Sequence, residues 1–471
     1  MRGRILLLLA IAIVAGTDNH AQDSGQKPNF VLILADDLGY GDVGFTGSTQ
    51  IHTPHMDALA KQGVIFTQGY VSAPVCGPSR AGLMTGRNQV NFGFDNNPIV
   101  DLPQFDENYV GLPPEESTIA DRLAGLGYVN GLIGKWHLGE AAHFHPTKRG
   151  FHEFWGYLGG GHNYFPSEPE GKSYHREIIC NYKEAQPITY ITDDKGDECV
   201  DFIRRHRDEP FFLYASFNAP HTPLQATEED LKLYAHIPET QRRTYCAMVH
   251  RLDVNVGRIV EELKDLNLYE NTVIVFLSDN GGPVSGLTPW TLNAPLRGSK
   301  GILLEGGIRV PFTMSWPKNI KAGSIYDKPV TSLDLTPTFV ALAGGTIAPA
   351  DHMDGVNIFP FLSGEKTGTP HPEMKWRFTI SASIREGDWK LVRLPDRLPM
   401  LYNLRDDIAE QNNVADQNRE MVERMLKKLG DWDVSCPQVL YLEGNRWRRE
   451  QLKLYDKEYQ LVQPGPQIQE K

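Results

Sequence analysis

Apolar residues along the chain gather into short unbroken runs separated by amphipathic stretches. Residues 29–35 (NFVLILA) are continuously apolar, residues 272–278 (TVIVFLS) repeat that texture, and 128–135 (YVNGLIGK) and 210–217 (PFFLYASF) are further runs of strand length. Such runs suit central parallel strands covered on both faces. The stretch 64–70 reads as one more strand. Between the runs, apolar residues fall at helical spacing in 53–63, 117–125, 197–207 and the long segment 239–266, with another helix start at 333–337. Strand, helix, strand in repetition predicts an α/β fold, a large mostly parallel sheet flanked by helices.

Past a Gly/Pro-rich region at 344–372 the texture changes. Residues 377–385, 389–394 and 401–402 read as short alternating strands, followed by a helix over 418–431. This predicts a smaller C-terminal α+β subdomain, antiparallel sheet plus helix, and a division into residues 1–21, 22–372 and 373–471. The polar residues from 456 onward read as a loosely held tail. Long Gly/Pro-rich loops at 88–114, 143–173 and 281–307 interrupt the main pattern, and loops of that length without structure of their own are functional or disordered.

Composition narrows the function. At 471 residues, 40% apolar and 23% charged, the chain is ordinary globular protein with room for two unequal domains. A formal charge of −12 argues against a nucleic-acid partner, which would require concentrated Lys and Arg. The positive start Met1-Arg2-Gly3-Arg4, an apolar stretch over 5–15 and small residues up to Ala21 read as a secretory signal, so export to the periplasm or beyond is expected. That apolar stretch is too short for a membrane span and no other approaches one. Five cysteines (76, 180, 199, 246 and 436) leave one unpaired if the others pair; Cys76 is the natural odd one, and spacing does not fix the rest.

Ligand sites in open α/β sheets lie beyond the carboxyl ends of the strands. Asp36 and Asp37 follow the first predicted strand directly, and Asp279 and Asn280 follow 272–278 in the same way. Either pair alone serves equally well as a helix or turn cap. Two pairs at equivalent ends point to four hard oxygen donors for Ca2+ or Mg2+. Lys135 and His137 end another strand, His221 follows 210–217, and Lys300 lies in the Gly-flanked loop Gly298-Ser299-Lys300-Gly301. Cys76 and Arg80 stand at the start of a predicted helix, where anions are favoured. A divalent cation, an arginine, two lysines and two histidines suit a tetrahedral oxyanion, sulfate or phosphate, and composition does not choose between them.

These residues also carry a resemblance. Cys76-Gly77-Pro78-Ser79-Arg80 followed by Thr85-Gly86-Arg87 resembles the C-x-P-S-R signature of type I sulfatases, in which the cysteine is oxidised to Cα-formylglycine. Gly134-Lys135-Trp136-His137-Leu138-Gly139 resembles the second segment of that family, and Asp36-Asp37 and Ser278-Asp279-Asn280-Gly281 its calcium segments. The resemblance implies an alkaline phosphatase-like fold, maturation by a formylglycine-generating or anaerobic sulfatase-maturating enzyme, and Ca2+ held by Asp36, Asp37, Asp279, Asn280 and residue 76. It further implies that one hydroxyl of the hydrated aldehyde attacks sulfur, Arg80, Lys135 and Lys300 neutralise charge, His221 is the general acid, and His137 takes a proton to expel sulfate. Many members hold the sulfate with one more residue from the loop after the Lys-x-His segment; here only His162, in Gly159-Gly160-Gly161-His162-Asn163-Tyr164, stands for it.

The expectation is therefore an exported sulfatase acting on a sulfated polysaccharide or oligosaccharide. Aromatic and histidine-rich loops (Trp155, Tyr157, His162, Tyr164, Trp290) favour the sugar. The rivals are a phosphate or phosphonate monoester hydrolase on the same scaffold and a secreted glycan-binding pseudoenzyme. The full set of charged residues argues against the latter.

Overall fold

Strand β1 (Asn29–Ala35) is buried at every position, and its side chains divide by parity between two cores. Phe30, Leu32 and Leu34 enter one, Val31, Ile33 and Ala35 the other. This period of two is why residues 30–35 carry no polar side chain: neither face meets water. Each such side chain contributes roughly 1.5–3 kcal/mol on burial. The computed structural model describes residues 27–98, 106–166, 177–284, 290–442 and 445–458; the expected export signal and parts of the three long loops lie outside them.

The chain continues through β2 (Val64–Phe66), β3 (Gly69–Tyr70), β4 (Val129–Lys135), β5 (Glu153–Tyr157), β6 (Ile179–Cys180), β7 (Phe211–Ser216), β8 (Thr272–Ser278), β9 (Phe312–Ser315), β10 (Ser324–Tyr326) and β11 (Val330–Thr331). Nine of these form one sheet in the order β10-β2-β9-β8-β1-β7-β4-β5-β6, and β3 pairs with β11 apart from it. The central run from β8 to β5 is parallel, while β9 and β6 run against their neighbours. Among the helices, α1 (Pro54–Lys61), α2 (Cys76–Thr85), α3 (Ile119–Gly125), α4 (Ile191–Arg205), α5 (Glu228–Leu233) and α6 (Thr240–Asp265) precede α7 (Glu305–Ile308), α8 (Leu335–Leu342) and α9 (Phe359–Leu362). Helices α2, α3 and α8 cover one face of the sheet, and α1, α4 and α6 the other.

Register sets the site. Ala35 of β1 lies beside Ser278 of β8, Leu34 beside Ser216 of β7, and Ser216 beside Gly134 of β4, so the four carboxyl ends are level. The residues that follow them all emerge at one edge.

A second, antiparallel sheet of β12 (Glu373–Phe378), β13 (Ser381–Glu386), β14 (Trp389–Arg393) and β15 (Met400–Asn403) is covered by α10 (Arg419–Ser435), whose Met425 and Leu429 pack on Ile384, Leu391 and Leu401. The last described element is α11 (Asn445–Glu458).

Four local expectations need correction. The stretch 64–70 is two short strands in different sheets, because Gly69 sits so close to Phe312 that a Cβ there would lie 2.7 Å from the Phe312 side chain. The stretch 377–385 spans a hairpin turn at Thr379, held at φ 45° with no Gly or Asn to announce it. Helix α4 begins at Ile191, not 197; Gly196 lies inside it because Asn255 of α6 approaches to where a Cβ would stand 1.9 Å from Oδ1. The expected tail from 456 also starts too early, since α11 runs on to Glu458, and this helix, whose Gln451 and Tyr455 are fully buried, was not expected at all.

Candidate active site

Helix α2 opens with Cys76 as its first residue, after Val75 in extended conformation. Pro78 falls in the first turn, where an N–H would have no partner inside the helix, and Gly86 closes it at φ 68°. All ten residues are buried. Cys76 Sγ lies 3.4 Å from Asp36 Oδ1, and Lys300 Nζ lies 3.3 Å from Sγ. Burial pushes the thiol far up and outweighs the pull of Lys135 and Lys300, so as a thiol this residue stays protonated.

Asp36 and Asp37 leave β1 into the site, with Asp37 held at φ 67°. Asp36 Oδ2 accepts from Lys135 Nζ at 2.5 Å. Burial raises its pKa, but Lys135, His221, Arg80 and Lys300 together hold the carboxyl well below the ordinary range. Asp37 meets Lys300 Nζ at 2.7 Å, His221 Nε2 at 3.6 Å and the Asn280 amide at 2.7 Å. Asp279 accepts from Arg80 Nε at 2.9 Å, while burial and the neighbouring Asp36 push its pKa up to about 7. Asn280 gives its nitrogen to Asp37 and Gly281 O, and its Oδ1 is buried with no hydrogen-bond partner among the described residues.

An unspent carbonyl oxygen between carboxylates is what a hard cation would use. Ligand atoms of Asp36, Asp37, Cys76 and His221 lie within 4.8 Å of one another, so the donor set fits a divalent metal.

The cations are as firmly placed. Arg80 and Lys135 are both fully buried, and Arg80 Nη1 reaches Lys135 O and Ser216 Oγ. Arg80 Nη2 stands 2.8 Å from Asp279 Oδ2 but out of hydrogen-bond alignment, which leaves a buried donor unspent. His137, at φ 59°, is kept neutral by burial and by the charges of Lys135 and Arg80, and its Nδ1 has no hydrogen-bond partner among the described residues. His221 directs Nδ1 to Thr222 O at 2.6 Å, which fixes the hydrogen there and turns Nε2 toward Asp37.

Of the residues expected from sequence, Cys76, Asp36, Asp37, Arg80, Lys135, His221, Asp279, Asn280 and Lys300 are joined by direct contacts. His162 stands one strand further out: its Nδ1 lies 2.6 Å from Asn163 O and its ring packs on Tyr157, which pairs with Lys135 across β4 and β5. Gly160 is close to His137, whose Nε2 would lie 2.7 Å from a Cβ there.

Two residues escaped the sequence reading. Ser216 bridges Arg80 Nη1 and Lys135 O through one hydroxyl, at 2.7 and 2.6 Å. Lys195, fully buried in α4, gives Nζ to Asn218 Oδ1 and lies 5.0 Å from the Tyr157 ring centroid. Its signal was its phase: it falls midway between Ile191 and Cys199 on the buried face of α4.

Residues 28–345 match the family model described as Sulfatase, and residues 299–433 the model described as N-sulphoglucosamine sulphohydrolase, C-terminal. The chain belongs to the sulfatase family. As a sulfatase it is an enzyme that hydrolyses sulfate esters. It is 34% identical over 404 residues to the N-acetylgalactosamine-6-sulfatase of Canis lupus familiaris, covering 82% of this chain and 74% of the relative. To the steryl-sulfatase of Rattus norvegicus it is 32% identical over 422 residues, covering 74% and 72%. The crystal structure of Ps i-CgsB superposes with a TM-score of 0.82 at 39% identity, covering 93% of this sulfatase and all of that chain; the same protein is also known in complex with k-i-k-neocarrahexaose. Among the described residues, no helix of the sulfatase is long and apolar enough to cross a membrane.

Proposed function

We propose that this sulfatase is exported, carries Cα-formylglycine in place of Cys76, uses Ca2+, and cleaves a sulfate ester on a carbohydrate. The observation that carries the reading is the setting of residue 76. It heads a buried helix within reach of Asp36 and Lys300, where a thiol is held protonated and makes a poor nucleophile. A hydrated aldehyde at that position supplies a hydroxyl nucleophile and a second hydroxyl to be deprotonated, and its formation requires a formylglycine-generating or anaerobic maturating enzyme. Asp36, Asp37, Asp279, Asn280 and residue 76 hold the calcium ion, whose chemistry when bound is to polarise sulfate oxygens and favour the ionised nucleophile.

The chain's own groups complete the reaction. Arg80 and Lys135, fully buried, and the partly buried Lys300 surround the reacting position with positive charge, which acts more strongly there than in bulk water. His221 protonates the leaving oxygen from its imidazolium form, since its Nδ1 hydrogen is engaged by Thr222 O. Burial, with the charges of Lys300 and Lys135, outweighs Asp36 and Asp37 and lowers its pKa, so the proton it gives is held loosely. His137, neutral and with Nδ1 unpartnered among the described residues, accepts the proton whose loss releases sulfate. His162 contacts the substrate. The sugar assignment is supported by the carbohydrate complex of Ps i-CgsB and by the name of the canine relative, and export by the N-terminal charge and apolar pattern.

The test is mass spectrometry of the peptide bearing residue 76, from protein made with a formylglycine-generating enzyme, together with turnover of aryl sulfate and aryl phosphate. The expected result is the aldehyde at 76, preference for sulfate, and a loss on the order of 10³-fold or more in kcat for Cys76→Ala. Unmodified cysteine in active protein, or a strong phosphate preference, would overturn the proposal.

A further inference from the structure

Lys300 reaches Asp37 and Cys76 from a loop, and a loop needs fixing before a long side chain can hold its ammonium in place. Two left-handed glycines, Gly298 (φ 91°) and Gly301 (φ 89°), set its path on either side. The catalytic unit holds it through Lys300 N to Gly282 O at 3.2 Å and Gly301 N to Pro74 O at 2.8 Å. The segment immediately following is anchored from elsewhere.

Residues 301–305 are buried throughout. Three of their backbone groups are met by three fully buried side chains of the C-terminal part of the chain. Gln451 Nε2 donates to Gly301 O at 2.8 Å, Leu303 N donates to Tyr455 Oη at 2.8 Å, and Glu305 N donates to Glu410 Oε2 at 2.6 Å. The intervening Ile302 and Leu304 enter the small core formed by Val392, Leu394, Met400 and Tyr402, while Leu303 enters the core of the main sheet. Arg297, at the other end of the loop, donates to Glu410 O. Lys390 of β14 ties Glu305 and Glu410 together, at 2.8 and 3.0 Å.

We infer that Gln451 and Tyr455 of α11, with Glu410, are positioning residues for sulfate-ester cleavage, acting through the backbone of the loop to place the Lys300 ammonium. The inference rests on the proposed role of Lys300 in the active site. It gives the terminal helix a task in the reaction through contacts with the loop backbone, with Gln451 and Tyr455 themselves meeting Gly301 and Leu303 and not the reacting groups.

The experiment uses the full-length, matured enzyme and an aryl sulfate. Gln451→Leu and Tyr455→Phe each remove the polar contact to the loop and keep apolar volume in place, Tyr455→Phe also losing a hydrogen bond to Ser381. Each is expected to lower kcat roughly tenfold while KM changes less than about twofold, because a misplaced catalytic group is costly even at small displacement. Combined with Lys300→Ala, neither is expected to reduce kcat below the level of Lys300→Ala alone; a general loss of folded structure would multiply instead. Arg297→Met, which loosens the loop without touching α11, is expected to behave in the same way. Unchanged kcat in all three variants, or losses that multiply with that of Lys300→Ala, would overturn the inference and leave the role of Lys300 standing. Full activity of Lys300→Ala would overturn both.

Discussion

Lys195 shows how much of the site lies one layer behind the reacting groups. Its ammonium is wholly buried, among the described residues it has no carboxylate partner, and burial drives its pKa far down. What it holds is Asn218, whose carbonyl accepts from His221 N at 2.7 Å and from Tyr164 Oη at 2.8 Å. Lys195→Met removes the desolvation cost of the ammonium but frees that asparagine. Stability should therefore change by no more than about 1 kcal/mol, or rise, while kcat/KM on an aryl sulfate falls roughly five- to tenfold as His221 loses its fixed setting. Thermal unfolding and steady-state kinetics on one preparation check both halves; large destabilisation with unchanged kinetics would contradict the assignment. Nothing in a lone lysine inside an amphipathic helix distinguishes it from a solvated one until the phase of the helix is known. Ser216 was hidden for the same reason, as the last residue of an apolar strand.

At the scale of elements, the buried central strands were legible, and so were amphipathic helices such as α1, α6 and α10. Strands β1, β7 and β8 are almost wholly apolar and buried at every position, so their composition alone announces them. Helix α11 was missed because of the fourteen residues Asn445–Glu458 most are charged or polar, and the two that matter, Gln451 and Tyr455, do not form an apolar stripe. The early start of α4 was missed because Gly196 looks like a boundary. Its reason is the close crossing of α4 and α6, and this is testable: Gly196→Ala places a methyl 1.9 Å from Asn255 Oδ1. The strain should exceed the gain in helix propensity and lower stability by about 1–3 kcal/mol in urea unfolding. A neutral or stabilising alanine would mean that the two helices part easily.

On the scale of the whole molecule, the β3–β11 pair is tied to the segment leading into the antiparallel sheet partly through Asp334. It accepts from Thr331 N and Val356 N at 2.8 Å each, and from His371 Nε2 at 2.8 Å just before β12 begins. Burial lowers the His371 pKa, but the Asp334 charge and hydrogen bond outweigh it, so the net shift is upward from 6.5. A histidine raised in the folded state adds stability that is fully present below its unfolded pKa and lost as pH rises through the folded one. Unfolding free energy should therefore decline above about pH 6.5, and His371→Gln should flatten that part of the profile; an unchanged slope would exclude the pair as its source. The α/β architecture and the ring of charged groups at the strand ends were legible because parallel sheets force ligands to that edge. The clasp at Asp334 was not, since it depends on contacts between residues far apart in sequence.

The alternation of β1 between two cores also has a meaning for how this protein can vary in length. Because each position belongs to one core or the other, and Asp36 and Asp37 follow the last strand residue without a spacer, the strand works as a ruler with no slack at its carboxyl end. One residue gained or lost inside it would exchange the contents of both cores and move the acidic pair along by a position. Insertions are tolerated before the amino ends of the strands or in the loops beyond the acidic pair, so those are the places where the lengths of descendants of this chain are free to diverge.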